Sequence, residues 1–210
     1  MKLTNASILS VYRARKLLRD MLGARGYHSV RGPRFASAVE FKRYVNACEN
    51  PLELSLTAQD PRSGCKVVSL FFEDPKVGVK DARSLVKTLE VLEVEGKKPI
   101  HCIFFYRTSM SHFAKRLIDG MQIRRHETFC EESFLNPTLN ALTPPHRELA
   151  DSGERESVLR KAGGEENLPK ILLTDAVCRW YGFTPGTVVE IERCLPEGQT
   201  ARYYRLVSPA

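Results

Sequence analysis

The chain has 210 residues, 42% apolar and 27% charged, enough for one large core or two smaller ones and too balanced for long-range disorder. Its formal charge of +7 lies wholly in the first two-thirds: residues 1–139 hold 23 Lys and Arg against 15 acids (+8), and residues 140–210 hold 9 against 10 (−1). That asymmetry predicts two domains with different partners, the first suited to a polyanion.

From Ile8 to Arg25 the apolar positions Val11, Ala14, Leu18, Met21 and Leu22 recur on one helical face, with Arg13, Lys16 and Arg19 elsewhere and Gly26 as the stop. A loop around Gly32-Pro33 leads to a second helix from Ser37 to about Ala47, where Ser37 and Glu40 have capping-box spacing. The period then changes. "KVVSLFFE" (66–73) reads as a buried strand, "DPKVG" as a turn, and "KDARSLVKTLEVLEVEG" as a helix ending near Gly96. "PIHCIFFY" (99–106) is a second buried strand, "SHFAKRLIDG" a helix stopped at Gly120, and "RRHETF" a third strand. Strand, helix, strand, helix, strand implies a mostly parallel sheet flanked by helices, an α/β domain.

"NPTLNALTPPHRELADSGE" (136–154), with three prolines, marks the linker, and the predicted division is 1–140 and 141–210. After it come a helix from Ser152 to Ala162, a Gly163-Gly164 stop, and the unit "LPKILLTDAVCRWYGFTPGTVVEIER" (168–193). This unit reads as a strand, a short helix capped by Thr174 or Asp175 and closed by Gly182, a "TPG" turn and a second strand. "RYYRLV" then closes an antiparallel pair. The second domain is a small α+β module.

The six cysteines lie at least 16 residues apart, with no C-x-x-C or His/Cys cluster, so they read as reduced and structural. The apolar run near the N-terminus is broken by Arg13, and no run approaches the roughly 20 residues that span a bilayer. A soluble intracellular chain with no membrane partner is expected.

The sharpest enzymatic candidate is Asp60 with Asp74-Pro75-Lys76, a split Asp…Asp-x-Lys pattern of metal-dependent nucleases. Acid and lysine must project from one strand face, two residues apart, and Pro75 forces a turn between them. Ser111 and His112 are adjacent on a helix, so their side chains point about 100° apart. No glycine-rich phosphate loop is present. The expectation is therefore no catalytic constellation, no metal and no cofactor, with the nuclease as the alternative.

The motifs point elsewhere. Pro145-His146-Arg147, Leu168-Pro169-Lys170-Ile171, Asp175-Ala176-Val177, Tyr181-Gly182, Gly186-Thr187-Val188-Val189 and Arg202-Tyr203-Tyr204-Arg205 follow one another in order. With "VYRARKLLRDMLGARGY", "FFEDPKVGVK", "CIFFY" and "ETF" upstream, this series resembles the fifth common subunit of eukaryotic DNA-dependent RNA polymerases, whose C-terminal module has a smaller archaeal counterpart. The resemblance implies an N-terminal jaw domain on a nuclease-like scaffold without the metal site, and a C-terminal assembly module. It implies a non-catalytic subunit of a nuclear polymerase, in the nucleolus if specific to polymerase I. The module would dock on the largest subunit through His146, Arg147, Pro169, Asp175, Arg179, Tyr181, Arg202 and Arg205. The jaw would lie near downstream duplex DNA through Arg107, Lys115, Arg116, Arg124 and Arg125. Ala176 where the family has proline, Thr184-Pro185 for its basic pair, and Ala201 for its glycine suggest a diverged, polymerase-specific lineage.

Overall fold

The computed structural model describes residues 4–27, 29–48, 54–60, 64–72, 74–96, 100–121, 125–196 and 198–209. The chain divides into two units, Met1–Leu135 and Asn136–Ala210.

In the first unit, helix α1 (Asn5–Ala24) starts where the Thr4 side chain accepts from the Ser7 amide. Ile8, Val11, Ala14, Leu18, Met21 and Leu22 are buried along its inner face, the stripe that the periodicity predicts. Helix α2 (Ala38–Ala47) is capped by Ser37, which accepts from the Glu40 amide, and Glu40 reaches back to the Ala36 amide at 2.8 Å. The reciprocal bond thus goes one residue further back than a capping box would place it.

Arg15 is a basic residue on the buried face of α1, unlike its neighbours. Its guanidinium donates to the carbonyls of Leu54 and Pro33 and lies 5.5 and 5.8 Å from the rings of Phe35 and Phe41. Burial lowers its pKa to about 10. Arg19, off the apolar face as the periodicity predicts, donates to the Gly32 carbonyl at 2.7 Å and to the Pro33 carbonyl at 3.0 Å. Two arginines of one helix therefore tie down the loop between α1 and α2, and Arg15 also the segment before β1.

The sheet comprises β1 (Leu56–Gln59), β2 (Lys66–Phe71), β4 (Ile100–Tyr106) and β6 (Arg125–Cys130), in the order β1-β2-β4-β6. The last three are parallel, as the alternating pattern predicts, whereas β1 is an antiparallel edge strand that the sequence reading missed. Helix α3 (Val79–Gly96) connects β2 to β4, and α4 (His112–Asp119) connects β4 to β6. A two-stranded parallel pair, β3 (Lys76–Val77) with β5 (Ser109–Met110), precedes each of these helices. Val68, Leu70, Cys102 and Phe104 on one sheet face pack with Ala82 and Leu89 of α3 and Ala114 and Ile118 of α4. On the other face Phe71, Phe105 and Phe129 share one register row, with ring centroids 4.9 and 5.6 Å apart.

The second unit is a four-stranded mixed sheet: β7 (His146–Glu148), β9 (Val188–Cys194), β10 (Thr200–Ser208) and β8 (Lys170–Leu172), in that order. β7, β9 and β10 are antiparallel, and β8 runs parallel to β10. Helix α5 (Ser152–Ala162) is capped by Asp151 and ends at Gly163, φ 77°. Helix α6 (Ala176–Tyr181) is capped by Asp175, not Thr174, and ends at Gly182, φ 67°. β7 lies inside the stretch read as linker. Its three residues gave no period to detect, and only pairing with β9 makes them a strand.

Each sheet face has its own core. Val189, Ile191, Ile171 and Val207 pack with Val177, Cys178 and Phe183, while Val188, Leu149 and Leu168 pack with Val158, Leu159 and Ala162 of α5. Four of the six cysteines are buried. Cys130 is half-buried, with its thiol near the Arg107 carbonyl at 3.1 Å, and Cys194 is exposed, so a structural role does not extend to it. No helix among the described residues is long and apolar enough to cross a membrane.

Candidate docking and nucleic-acid surfaces

Strand alternation sorts the expected docking residues. In the register His146↔Ile191↔Tyr203 and Glu148↔Val189↔Arg205, paired residues share the face that carries α6. In the register Arg147↔Glu190↔Tyr204, with Glu192↔Arg202 beyond it, they share the face covered by α5. The eight residues therefore do not form one patch.

On the α6 face, His146 donates from Nδ1 to the Pro144 carbonyl at 2.6 Å. Burial lowers its pKa, the Pro144 carbonyl and Asp175 oppose that, and Arg193 and Arg205 reinforce it. His146, Asp175 and Arg205 thus share one electrostatic environment. The Asp175 carboxylate also caps α6 by accepting from the Val177 amide at 2.8 Å. Arg205 donates to the Lys170 carbonyl at 3.4 Å. Tyr181 stacks on Phe183 at 5.4 Å and packs against the core, while Arg179 stands exposed on α6. Two residues of this face were not picked out from the sequence: Arg193 lies 5.3 Å from the ring of Tyr203, which is 46% exposed. Counting two positions on from Ile191 would have found Arg193, whereas Tyr203 joins this face only through its pairing with Ile191.

On the α5 face, the Arg147 guanidinium donates to buried Glu190 at 3.2 and 3.3 Å and to Glu154 at 3.2 Å, and the Tyr204 hydroxyl donates to Glu190 at 3.3 Å. Arg147 thereby ties β7 to β9 and to α5. Pro169 is exposed at its ring but bound by its backbone, since its carbonyl accepts from the Leu206 amide at 2.9 Å.

The basic residues of the first unit divide in the same way. Ala114 and Ile118 turn inward from α4, which leaves Phe113, Lys115 and Arg116 exposed on its outer side. Arg107 is half-buried in the electrostatic environment of Glu131. Arg125 pairs at 3.4 Å with Glu127, and Arg124 lies outside the described residues.

That Glu127 anchors a network that sequence reasoning did not find. Arg25, just past α1, grips it with two bonds of 2.8 Å, and the His101 Nε2 lies 2.9 Å away on the neighbouring strand. Burial alone would raise the Glu127 carboxyl, but the Arg25 charge and the bonds from His101 and Arg25 outweigh it and hold it far below the usual range. The three residues lie 102 and 26 positions apart in the chain, which no local pattern connects.

The nuclease pattern does not assemble into a strand-borne site. The Asp60 amide donates to the Cys65 carbonyl at 2.9 Å, and its carbonyl accepts from the Gly64 amide at 2.8 Å. Asp74 and Pro75 form a bend, and exposed Lys76 begins β3 after it, as the proline spacing implies. Among the described residues, no group of three or more His, Cys, Asp or Glu could hold a metal ion.

Comparison with known proteins bears on both units. The family model "RNA polymerase Rpb5, C-terminal domain" matches residues 135–207. The chain is 27% identical over 209 residues to "DNA-directed RNA polymerases I, II, and III subunit RPABC1" of Caenorhabditis elegans, covering 94% of this chain and 95% of the relative. It is 31% identical over 146 residues to the RPABC1 protein of Dictyostelium discoideum, covering 66% and 71%. It is also 45% identical over 64 residues to "DNA-directed RNA polymerase subunit Rpo5" of Methanosarcina barkeri, covering 30% of this chain and 82% of that protein.

Proposed function

Because this chain belongs to the family of the fifth common subunit of DNA-dependent RNA polymerases, non-catalytic parts of that complex, we propose that its C-terminal unit docks on the largest subunit and its N-terminal unit serves as a jaw beside downstream DNA. One observation carries this reading. An archaeal polymerase subunit aligns over 82% of its own length with only 64 residues of this chain, about the size of the C-terminal unit. The family model for the C-terminal domain matches residues 135–207, the span of that unit, which supports placing membership of the complex there. The larger N-terminal unit carries the positive charge. Assembly into a eukaryotic polymerase places the chain in the nucleus, and in the nucleolus if it serves polymerase I alone.

The α6 face, with His146, Asp175, Arg179 and Arg205, is the favoured docking surface. Arg147 is engaged with Glu190 and Glu154, and Tyr181 packs against the module's own core. Alanine at a central arginine of the docked surface should weaken assembly by about 2 kcal/mol or more, and rim charges much less. The test is affinity purification of the tagged chain from its own cells, with alanine variants at all eight positions and partners identified at low and high salt. If every variant retains the largest subunit like wild type, this surface is wrong. Recovery of the largest subunits of three polymerases marks a shared subunit, and recovery of one marks a specialised one.

For the jaw, exposed Lys115 and Arg116 on α4 are the favoured phosphate contacts, with Arg107, Arg124 and Arg125 as secondary ones. Such contacts position duplex DNA without reading its sequence, so the free chain should bind with a Kd on the order of 10⁻⁴ to 10⁻⁶ M that weakens with salt. Sequence-specific binding by the free chain would contradict this. A cleavage assay with Mg²⁺ or Mn²⁺, comparing wild type with Lys76→Ala, tests the nuclease alternative.

A further inference from the structure

The longest strand of the C-terminal unit is half bare on one side. β10 spans nine residues and pairs with β9 from Thr200 to Leu206, but β8 covers its other edge only at Leu206, Val207 and Ser208. The orientation of the bare groups follows from the bonds made at the strand's end. The Val207 amide donates to Thr187 on the β9 side, while the Leu206 amide donates to Pro169 on the β8 side. Alternation then turns the amides and carbonyls of Arg202 and Tyr204 toward the β8 side. Among the described residues no strand meets them there.

The sequence explains why the chain's own β8 stops short. Continuing the parallel register back from Leu206↔Lys170 would make residue 169 the donor to the Tyr204 carbonyl. Residue 169 is proline, which has no N–H to give. The edge is also not blunted in the usual ways. Residues 200–206 hold an unbroken register with no bulge and no proline, and Tyr203 and Tyr204 present an aromatic ring to each face. Two arginines, Arg202 and Arg205, and no acid lie along this stretch of β10, with Glu192 across from Arg202 on β9. The nearest buried carboxylate, Glu190, is already engaged by Arg147 and Tyr204.

We propose that this edge of β10 takes an extended acidic segment of another polymerase subunit, added as a strand in line with β8. The inference rests on the docking reading above and specifies how that docking is made. Backbone bonds from Arg202 and Tyr204 set the register of the added strand, and alternate side chains set its identity. Arg202 and Arg205 are three positions apart and so project to opposite faces. Pro169 already lies opposite Arg205 in the line of β8, so the incoming segment is acidic opposite Arg202, with apolar or aromatic residues beside Tyr203 and Tyr204.

The test is amide hydrogen exchange of the tagged full-length chain, free and within the polymerase purified through it. The expected result is two further protected amides within residues 200–205, each exchanging about tenfold or more slowly in the complex. Arg202→Pro removes one outward donor and sets a ring on the edge while sparing the bonds to β9, and should cut retention of the polymerase about tenfold. Should that variant misfold, Arg202→Glu leaves the backbone intact and lies off the α6 face, and it too should lose retention. If the chain co-purifies with polymerase but residues 200–205 exchange as in the free chain, the edge inference falls and the docking reading stands. If no polymerase subunit co-purifies, the docking reading falls and takes the edge with it. Protection that disappears on nuclease treatment would assign the edge to nucleic acid and overturn the acidic polypeptide.

Discussion

Replacing Glu127 by glutamine removes one negative charge and little volume from the network between α1, β4 and β6. The side chains of Arg25 and His101 are 4% and 5% exposed and that of Glu127 16%, so the bidentate pair is shielded from water. Opposite charges about 4 Å apart attract by about 4 kcal/mol at an effective dielectric near 20. Breaking a buried pair on one side costs about 3–5 kcal/mol, because the remaining charge stays desolvated. We expect about 3 kcal/mol for Glu127→Gln, which for a unit of this size lowers the melting temperature by roughly 10 °C. The assay is thermal unfolding of the full chain followed by near-UV circular dichroism from pH 7 downward. The sign of the pH effect follows from the depressed carboxyl, since the unfolded chain binds a proton that the folded chain refuses. The contribution is thus complete above the ordinary glutamate pKa of about 4.3 and fades as the pH falls toward the folded value. Wild type and variant should converge on acidification. The double variant Arg25→Met with Glu127→Met should lose less than the two single changes summed. A shift below about 3 °C at pH 7, or curves that stay parallel into acid, would refute the reasoning.

Three further outcomes are expected. Gly32→Ala should cost about 1–3 kcal/mol, because Gly32 sits at φ 127° and an added Cβ would meet Leu56 Cδ2 at 2.8 Å and the Ser55 carbonyl at 3.0 Å; chemical denaturation measures this. Asp175→Ala should lower stability by about 1 kcal/mol through loss of the α6 cap, and Asp175→Asn by only a few tenths, so a docking defect shared by both variants isolates the charge from the cap. His146 is held below its ordinary pKa, chiefly by burial, so the unfolded chain binds the extra proton and stability should fall as the pH drops through about 6.5. His146→Asn should flatten that stretch of the pH profile in paired melts, and an unchanged slope would show that His146 does not carry it.

Elements written in local periodicity were legible before the fold: the buried stripe of α1, the apolar runs of β2 and β4, the Ser37 cap, the α6 cap to within one residue, the Gly163-Gly164 stop and the αL glycine Gly182. Such features depend on neighbours within about four positions, so the sequence alone specifies them. The family was equally legible, because its motifs occur in order along the whole chain. Strands β1, β3, β5 and β7, of two to four residues, are too short for a period to register and exist only because a distant partner pairs with them. The same limit applies to the side chains. The sequence assigned no role to Arg15 or Arg25, and it pointed Arg125 toward DNA and Arg147 toward a partner subunit. The tertiary structure alone decided that Arg15 holds a loop from within the core, that Arg25 and Arg125 face Glu127, and that Arg147 closes on Glu190. Charge fixes what a side chain can bind, but folding decides which partner comes within reach, and for Arg15, Arg25 and Arg147 that partner lies 18 to 102 positions away.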